Sequence, residues 1–328
     1  MIEWALVLAD CHLHFEGCLP EETLAALARR AGGPLAENGA FGRRRGGMAD
    51  SGAFLLLFAD VCRLFRAPED YREAAGAIAG ALASDGVGYA EIYVSPEIWK
   101  RFGLDPAACL EAIDEGFASG ATRCRILLDT VRQWGPEAAE RVLDLYERNP
   151  LPSIVGFGMG GEEASIPAAA FGGVYARARA LNLKTSVHAG EWGGPESVSE
   201  ALDALRPDRL DHGIAAAADA RLLERLADER TILCVAPTGN VATGAAKSFE
   251  EHPLARLIEA GVRVALSADD PLFFRTSTAN EYRVARERFG LGALRLRRLA
   301  ENSWRAAFCP PADREAGLEA LKSWQPPA

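Results

Sequence analysis

Histidine and lysine are both scarce in this chain: 328 residues hold five histidines and four lysines, Lys100, Lys184, Lys247 and Lys322. No two cysteines are spaced Cys-x-x-Cys. The seven present (Cys11, Cys18, Cys62, Cys109, Cys124, Cys234, Cys309) are odd in number and scattered, which suits a reducing cytoplasmic setting better than a disulfide framework. There is no long apolar run, and the opening MIEWALVLAD has no basic start, so neither a membrane span nor a signal peptide is expected. Positive charge is the scarcer sign. Thirty-six Lys plus Arg against 46 Asp plus Glu leave a net charge of −10, a field that repels nucleic acid and anionic membranes and suits a small, weakly charged substrate. At 49% hydrophobic and 25% charged residues, the disordered and collagen-like classes are excluded as well.

What is there is alternation. Short β-rich runs at Leu6–His12, Tyr89–Val94, Arg125–Thr130, Ser153–Phe157, Lys184–His188, Arg209–Gly213, Thr231–Val235 and Arg263–Ser267 are separated by helical stretches. The helices are expected at Glu21–Ala31, Tyr71–Ser84, Pro136–Arg148, Ile166–Leu181, Pro195–Leu205, Ala218–Ala227 and His252–Ala260, most opened by Pro, Asp or Glu. This is the pattern and size of an α/β protein of the (β/α)8 TIM-like barrel type, with residues 1–328 as one domain and no linker inside it. Ala36–Asp50, rich in Gly and Arg, reads as a surface loop with Arg43–Arg45 solvated. The following SGAFLLLFADVCRLF sets Phe54, Phe58 and Phe65 near helical spacing. That stripe is expected to face the core, and a lid over the first barrel strand would serve the same pattern.

Four of the histidines fall at expected strand ends. His12 and His14, two apart on a strand, project to one face and can ligate one divalent ion; taken alone, the pair serves equally as buried histidines satisfied by carbonyls. His188 ends the fifth strand, followed by Glu191, and His212 ends the sixth. Asp269 and Asp270 follow the eighth. In a barrel these ends meet at one mouth, where ligand-type residues read as catalytic, whereas a solitary Asp-Asp-Pro reads as a helix cap. Three histidines and a carboxylate with an open position fit one catalytic zinc per chain, whose bound water loses its proton near neutral pH. Hydrolysis follows, with the remaining His and carboxyl groups as acid, base and orienting groups.

The motifs DCHLHFEG, VHAGEWGGPESVSEAL, DRLDHGI, NVATGAAKSFEEHPLARLIEAGV and SADDPLFF, in this order, resemble the adenosine deaminase family over nearly the whole chain. The resemblance implies a zinc-dependent barrel hydrolase of purine metabolism that replaces a 6-amino group with oxygen. It implies His12, His14, His188 and Asp269 as zinc ligands, Glu191 as the proton donor to the purine N1, and His212 as the group assisting the attacking water. It further implies Asp270 as the residue that holds that water and contacts the purine, and Gly161 as a backbone donor to the ring, with His14 and Glu16 beside the substrate.

Where adenosine-specific members carry Asp, this chain has Glu16, as relatives acting on free adenine or aminodeoxyfutalosine do, and Asp211 before His212 is also of the adenine type. Gly239 and Ala236 stand for the Ser and Cys of the Pro-x-Ser-Asn turn, and GFGMGG lacks the usual preceding Asp. The block Asn240–Leu254 is closer to the adenosine type. The expectation is therefore deamination of adenosine or deoxyadenosine, with adenine or aminodeoxyfutalosine as alternative substrates and a non-catalytic small-molecule barrel as the distant one. A binuclear relative would need a carboxylated Lys at the end of strand four, where none lies, and the cytidine deaminase signature is absent. Neither glycine-rich segment has phosphate-loop spacing.

Overall fold

The computed structural model describes residues 7–48 and 50–325. Leu6 of the first expected strand, most of MIEWALVLAD, and Ala49 of the expected loop lie outside the described residues. All strands are parallel. β1 (Leu8–His14), β2 (Val87–Val94), β3 (Arg123–Val131), β4 (Ile154–Gly160) and β5 (Lys184–Thr185) pair in that order, and β6 (His188–Ala189), β7 (Leu210–His212), β8 (Ile232–Val235) and β9 (Arg263–Leu266) form a second run. β5 and β6 are two pieces of one passage. Between them Ser186 N donates to Phe157 O at 3.1 Å and Asp211 N to Val187 O at 2.9 Å, so pairing continues through the gap. At the other seam His14 N donates to Asp269 O and Asp269 N to His12 O, both at 3.1 Å. The result is an α/β fold of the TIM-barrel kind, and among the described residues no helix is long and apolar enough to cross a membrane. All seven cysteines are free and buried.

Several expected boundaries move, each for a packing reason. β1 runs to His14, so both of its histidines lie on the strand. β4 continues past Phe157 to Gly160 because Gly156 and Gly158 sit where strands crowd. A Cβ on Gly158 would lie 2.4 Å from the Tyr93 ring, and one on Gly156 2.6 Å from Leu127. The stretch Ile166–Leu181 is split into a 3-10 turn, Ala168–Phe171, and a helix, Gly172–Ala180, while His252–Ala260 contracts to Leu254–Glu259.

The insertion after β1 carries α1 (Glu21–Ala31), α2 (Ala40–Gly46), α3 (Ser51–Cys62) and α4 (Pro68–Ser84). The Gly/Arg-rich segment is thus helical at its centre, because Phe41 is buried against Phe273 with ring centroids 5.6 Å apart. Nor is Arg45 solvated: its side chain is 9% exposed, pairs with Glu21 at 2.7 Å and donates to Leu272 O at 2.7 Å. α3 is capped by Asp50, whose carboxylate accepts from Ala53 N at 2.8 Å. Its phenylalanines divide. Phe65, just beyond it, stacks on Tyr71 in the core, whereas Phe54, also buried, and Phe58 pack on Phe274 and Phe273 and line a cavity, so α3 forms one wall of it.

Candidate active site

The strand ends bring every expected site residue together. Nε2 of His12 lies 3.3 Å from that of His14 and 2.9 Å from that of His188, and the His14 and His188 nitrogens are 3.2 Å apart. Asp269 Oδ1 completes the group, 3.4 Å from His12 Nε2 and 3.3 Å from His14 Nε2. Ligands about 2.0–2.1 Å from one ion in tetrahedral array stand roughly 3.3 Å apart, so the spacing fits a shared divalent metal. Tautomers agree with this. His188 Nδ1 is 3.0 Å from Met159 O, a carbonyl that can only accept, so that ring's proton sits on Nδ1 and its Nε2 is bare. Behind His12, its Nδ1 and Asp211 Oδ1 are both buried without a hydrogen-bond partner and face each other across 3.9 Å, the position of a carboxylate behind a ligand imidazole. Asp211 is itself held by Tyr93 Oη at 2.5 Å and Ser186 Oγ at 2.8 Å.

Among the described residues, six non-glycine positions have left-handed backbone: Asn182, Arg206, Arg230 and Arg275 follow helix ends, which leaves His212 (φ 62°) and Asp269 (φ 59°) as the two in the site. Backbone held there costs on the order of 1 kcal/mol or more and persists where surrounding structure enforces it, as at functional sites.

The electrostatics separate the carboxyls. Against the penalty of burial, His12, His14 and His212 hold Asp269 well below the ordinary carboxylate range. Burial, reinforced by the charge of Asp269, pushes Glu191 and Asp270 well above it. Burial and the neighbouring His12 depress both His188, well below its usual value, and His212, to about 4. His14 moves the other way: burial opposes its charge, but Asp270 and Asp269 raise it to about 10. The ionised Asp269 beside the imidazole nitrogens supplies negative charge and lone pairs where an ion would be held.

Asp270 occupies the cap position of the short helix Pro271–Phe274 without capping it; its Oδ1 is buried and unpartnered. Gly17 lets it come close, since a Cβ there would fall 1.9 Å from that oxygen. Gly161, at φ 97°, lines the cavity, and a Cβ there would meet Gln133 Oε1 at 2.4 Å.

Three groups here were not singled out from the sequence. Glu163 accepts from the backbone N–H of Gly190 (2.5 Å), Glu191 (3.1 Å), Trp192 (2.9 Å) and Gly193 (2.9 Å), and from Ser197 Oγ, and these bonds hold it below its ordinary value despite burial. Asn240 and His252 stand behind His212. A carboxylate serving backbone amides leaves no spacing signal, and Asn240 and His252 meet only through the fold, although His252 was visible as the fifth histidine.

The cavity measures about 320 Å³ and is bounded by Phe54, Phe58, Trp134, Glu16, Glu191 and Asp270 among others. Glu16 is 3% exposed, and burial raises its carboxyl to about 7. Of the block Asn240–Leu254, Thr243 is the residue that lines the cavity, so most of the segment that favoured adenosine lies outside the cavity lining.

A parallel α/β barrel with a candidate metal-ligand cluster at its C-terminal mouth is the arrangement of the metal-dependent amidohydrolase class. The chain belongs to the adenosine deaminase family: the family model described as Adenosine deaminase matches residues 8–324. It is a hydrolase acting on C–N bonds of cyclic amidines. An adenine deaminase of Chelativorans sp. (strain BNC1) is 38% identical over 324 residues, covering 97% of this chain and 98% of that one. The crystal structure of adenine deaminase from Arthrobacter aurescens superposes with TM-score 0.92 at 28% identity, covering 97% of this chain and 98% of the other. An amidohydrolase from Burkhoderia ambifaria with bound Zn gives TM-score 0.89 at 25% identity, with 96% and 89% covered. The relatives named here favour the adenine alternative over the adenosine-first expectation.

Proposed function

We propose that this protein is a zinc-dependent adenine deaminase, one catalytic domain over residues 1–328, converting adenine and water to hypoxanthine and ammonia. Glu16 is the observation that carries the reading. Free adenine has an N–H on its five-membered ring where a nucleoside carries ribose. A buried carboxylate accepting that N–H selects the base, because ribosylation removes the donor and leaves the carboxylate unpaired. The names of the full-length relatives support the same choice.

His12, His14, His188 and Asp269 would hold the metal, which when bound supplies the Lewis acidity that readies water for attack at neutral pH. The chain's own residues do the rest. Glu191, kept protonated by burial and neighbouring carboxylates, gives its proton to N1 as the water oxygen bonds to C6. Asp270 and His212 orient that water, and the Gly161 N–H and Glu16 fix the ring. When the tetrahedral carbon collapses and C6–N6 breaks, the nitrogen leaves as ammonia with the proton of the added hydroxyl, and the water's other proton restores Glu191 in place of the one given to N1.

The test is deamination of adenine, adenosine and deoxyadenosine by purified protein, with its metal content measured. Adenine should be preferred by roughly a hundredfold or more in kcat/KM, as a buried hydrogen-bonding site discriminates. Glu16→Asp should shift that ratio toward adenosine by roughly tenfold, about 1.4 kcal/mol. Equal use of adenosine by the wild type would sink the reading.

A further inference from the structure

His252 takes no part in the chemistry above, yet it ends a buried chain of hydrogen bonds that starts at a group of fixed polarity. Leu254 opens the helix Leu254–Glu259, and Pro253 before it has no N–H, so the Leu254 amide is an orphan donor at the helix start. It donates to His252 Nδ1 at 3.1 Å. A ring nitrogen that accepts carries no proton, so neutral His252 keeps its proton on Nε2, which donates to Asn240 Oδ1 at 3.2 Å. With its oxygen so engaged, Asn240 turns its amide NH2 to His212 Nδ1 at 3.0 Å. That nitrogen must accept, and the remaining proton of neutral His212 sits on Nε2, 3.4 Å from Glu191 Oε2.

The order cannot be reversed at one link. Rotating the Asn240 amide would set NH2 against the His252 N–H, a donor facing a donor where Asn240 is 0% and His252 4% exposed. The Asn240 backbone is pinned as well, its N bonded to Ala236 O and its O to Ala246 N, both at 2.8 Å.

We propose that His252 is a positioning residue that, through Asn240, fixes His212 as the Nε2–H tautomer, so that His212 meets the reacting oxygen as a hydrogen-bond donor and not as the base that deprotonates it. This deepens the deaminase reading and, for its kinetic consequence only, rests on it.

Ring-nitrogen NMR of the full chain tests it directly, and five histidines make the spectrum assignable by single substitutions. Long-range 1H–15N spectra of metal-free and zinc-loaded protein should show His212 and His252 both protonated at Nε2 and bare at Nδ1. In His252→Leu, His212 should become a tautomer mixture, with kcat for adenine down roughly tenfold to a hundredfold, the range seen for outer supporting groups, and KM and zinc stoichiometry unchanged. His252→Gln, which retains a donor toward Asn240, should restore both tautomer and kcat. Should the Leu variant fail to fold, Asn240→Asp reads the same link, because a carboxylate there must place a proton on His212 Nδ1. An Nδ1–H signal for His212 in the wild type, or a tautomer unmoved by these variants, overturns the relay. A correct tautomer in a protein that deaminates no purine would leave the relay standing and the proposed function refuted.

Discussion

Glu191 and Asp269 are both buried carboxyls at one barrel mouth, yet their surroundings drive them to opposite protonation states. Asp269 is ringed by imidazoles and stays ionised; Glu191 faces Asp269, Glu163 and Asp270, so loss of its proton would add charge to an already negative dry site. The division suits Asp269 to holding a cation and Glu191 to holding a proton. Glu191→Gln keeps the shape and removes the proton, so kcat should fall roughly a hundredfold to ten-thousandfold while metal content and thermal stability hold. Steady-state kinetics beside metal analysis check this, and retained turnover would move the acid elsewhere. Residues of this kind were readable in the sequence because the chemistry needs His, Asp and Glu, and these fall at or just beyond expected strand ends. Glu163, Asn240 and the role of His252 were not. Their partners are backbone amides or side chains brought near by folding, and neither leaves a periodic trace.

At the scale of elements, the turn after β6 that carries Glu191 has little structure of its own and is organised from the end of β4. Both carboxylate oxygens of Glu163 are used, one by Gly190 N and Ser197 Oγ, the other by Glu191 N, Trp192 N and Gly193 N. Arg132 adds a second tether, donating to His188 O at 2.6 Å and Glu163 O at 3.3 Å. Glu163→Gln turns one of those oxygens into NH2 aimed at N–H donors. Each buried donor left unmet costs about 1–3 kcal/mol, and kcat should fall roughly tenfold to a hundredfold as Glu191 loses its place. Amide exchange at residues 190–193 should accelerate in the same variant; unaltered exchange with unaltered kcat would show that the turn holds itself. The elements legible beforehand were those whose apolar period matched their burial, β2 and α1 among them. The tail of β4 was hidden by glycines that look like a turn and are there to admit the Tyr93 ring, and α2 was hidden because Phe41, one residue in a polar stretch, supplies its anchor.

Over the whole molecule, the order of strands was legible from alternation, whereas the closing seam depends on contacts between residues some 250 apart. Asp10 on β1 accepts from Ala268 N at 3.0 Å and Thr278 Oγ1 at 2.7 Å, and from Ser267 Oγ, and two backbone bonds join His12 and His14 to Asp269. The candidate metal ligands span this seam: two lie on β1, one on β6 and one just beyond β9. An ion bound there ties the first strand to the last and relieves the repulsion among nitrogen lone pairs, so it binds the folded barrel far better than the open chain. Ligand at a thousand times its dissociation constant adds about 4.1 kcal/mol to stability. With an unfolding entropy of about 2.1 cal/mol/K per residue, a 328-residue chain should gain roughly 6 °C in Tm. Melting curves of chelator-treated protein should therefore rise by about that much on adding zinc. His14→Ala should melt alike with and without zinc, since it lacks one ligand. A wild-type Tm indifferent to zinc would mean that the four groups do not share an ion, and a full response in His14→Ala would place the ion elsewhere.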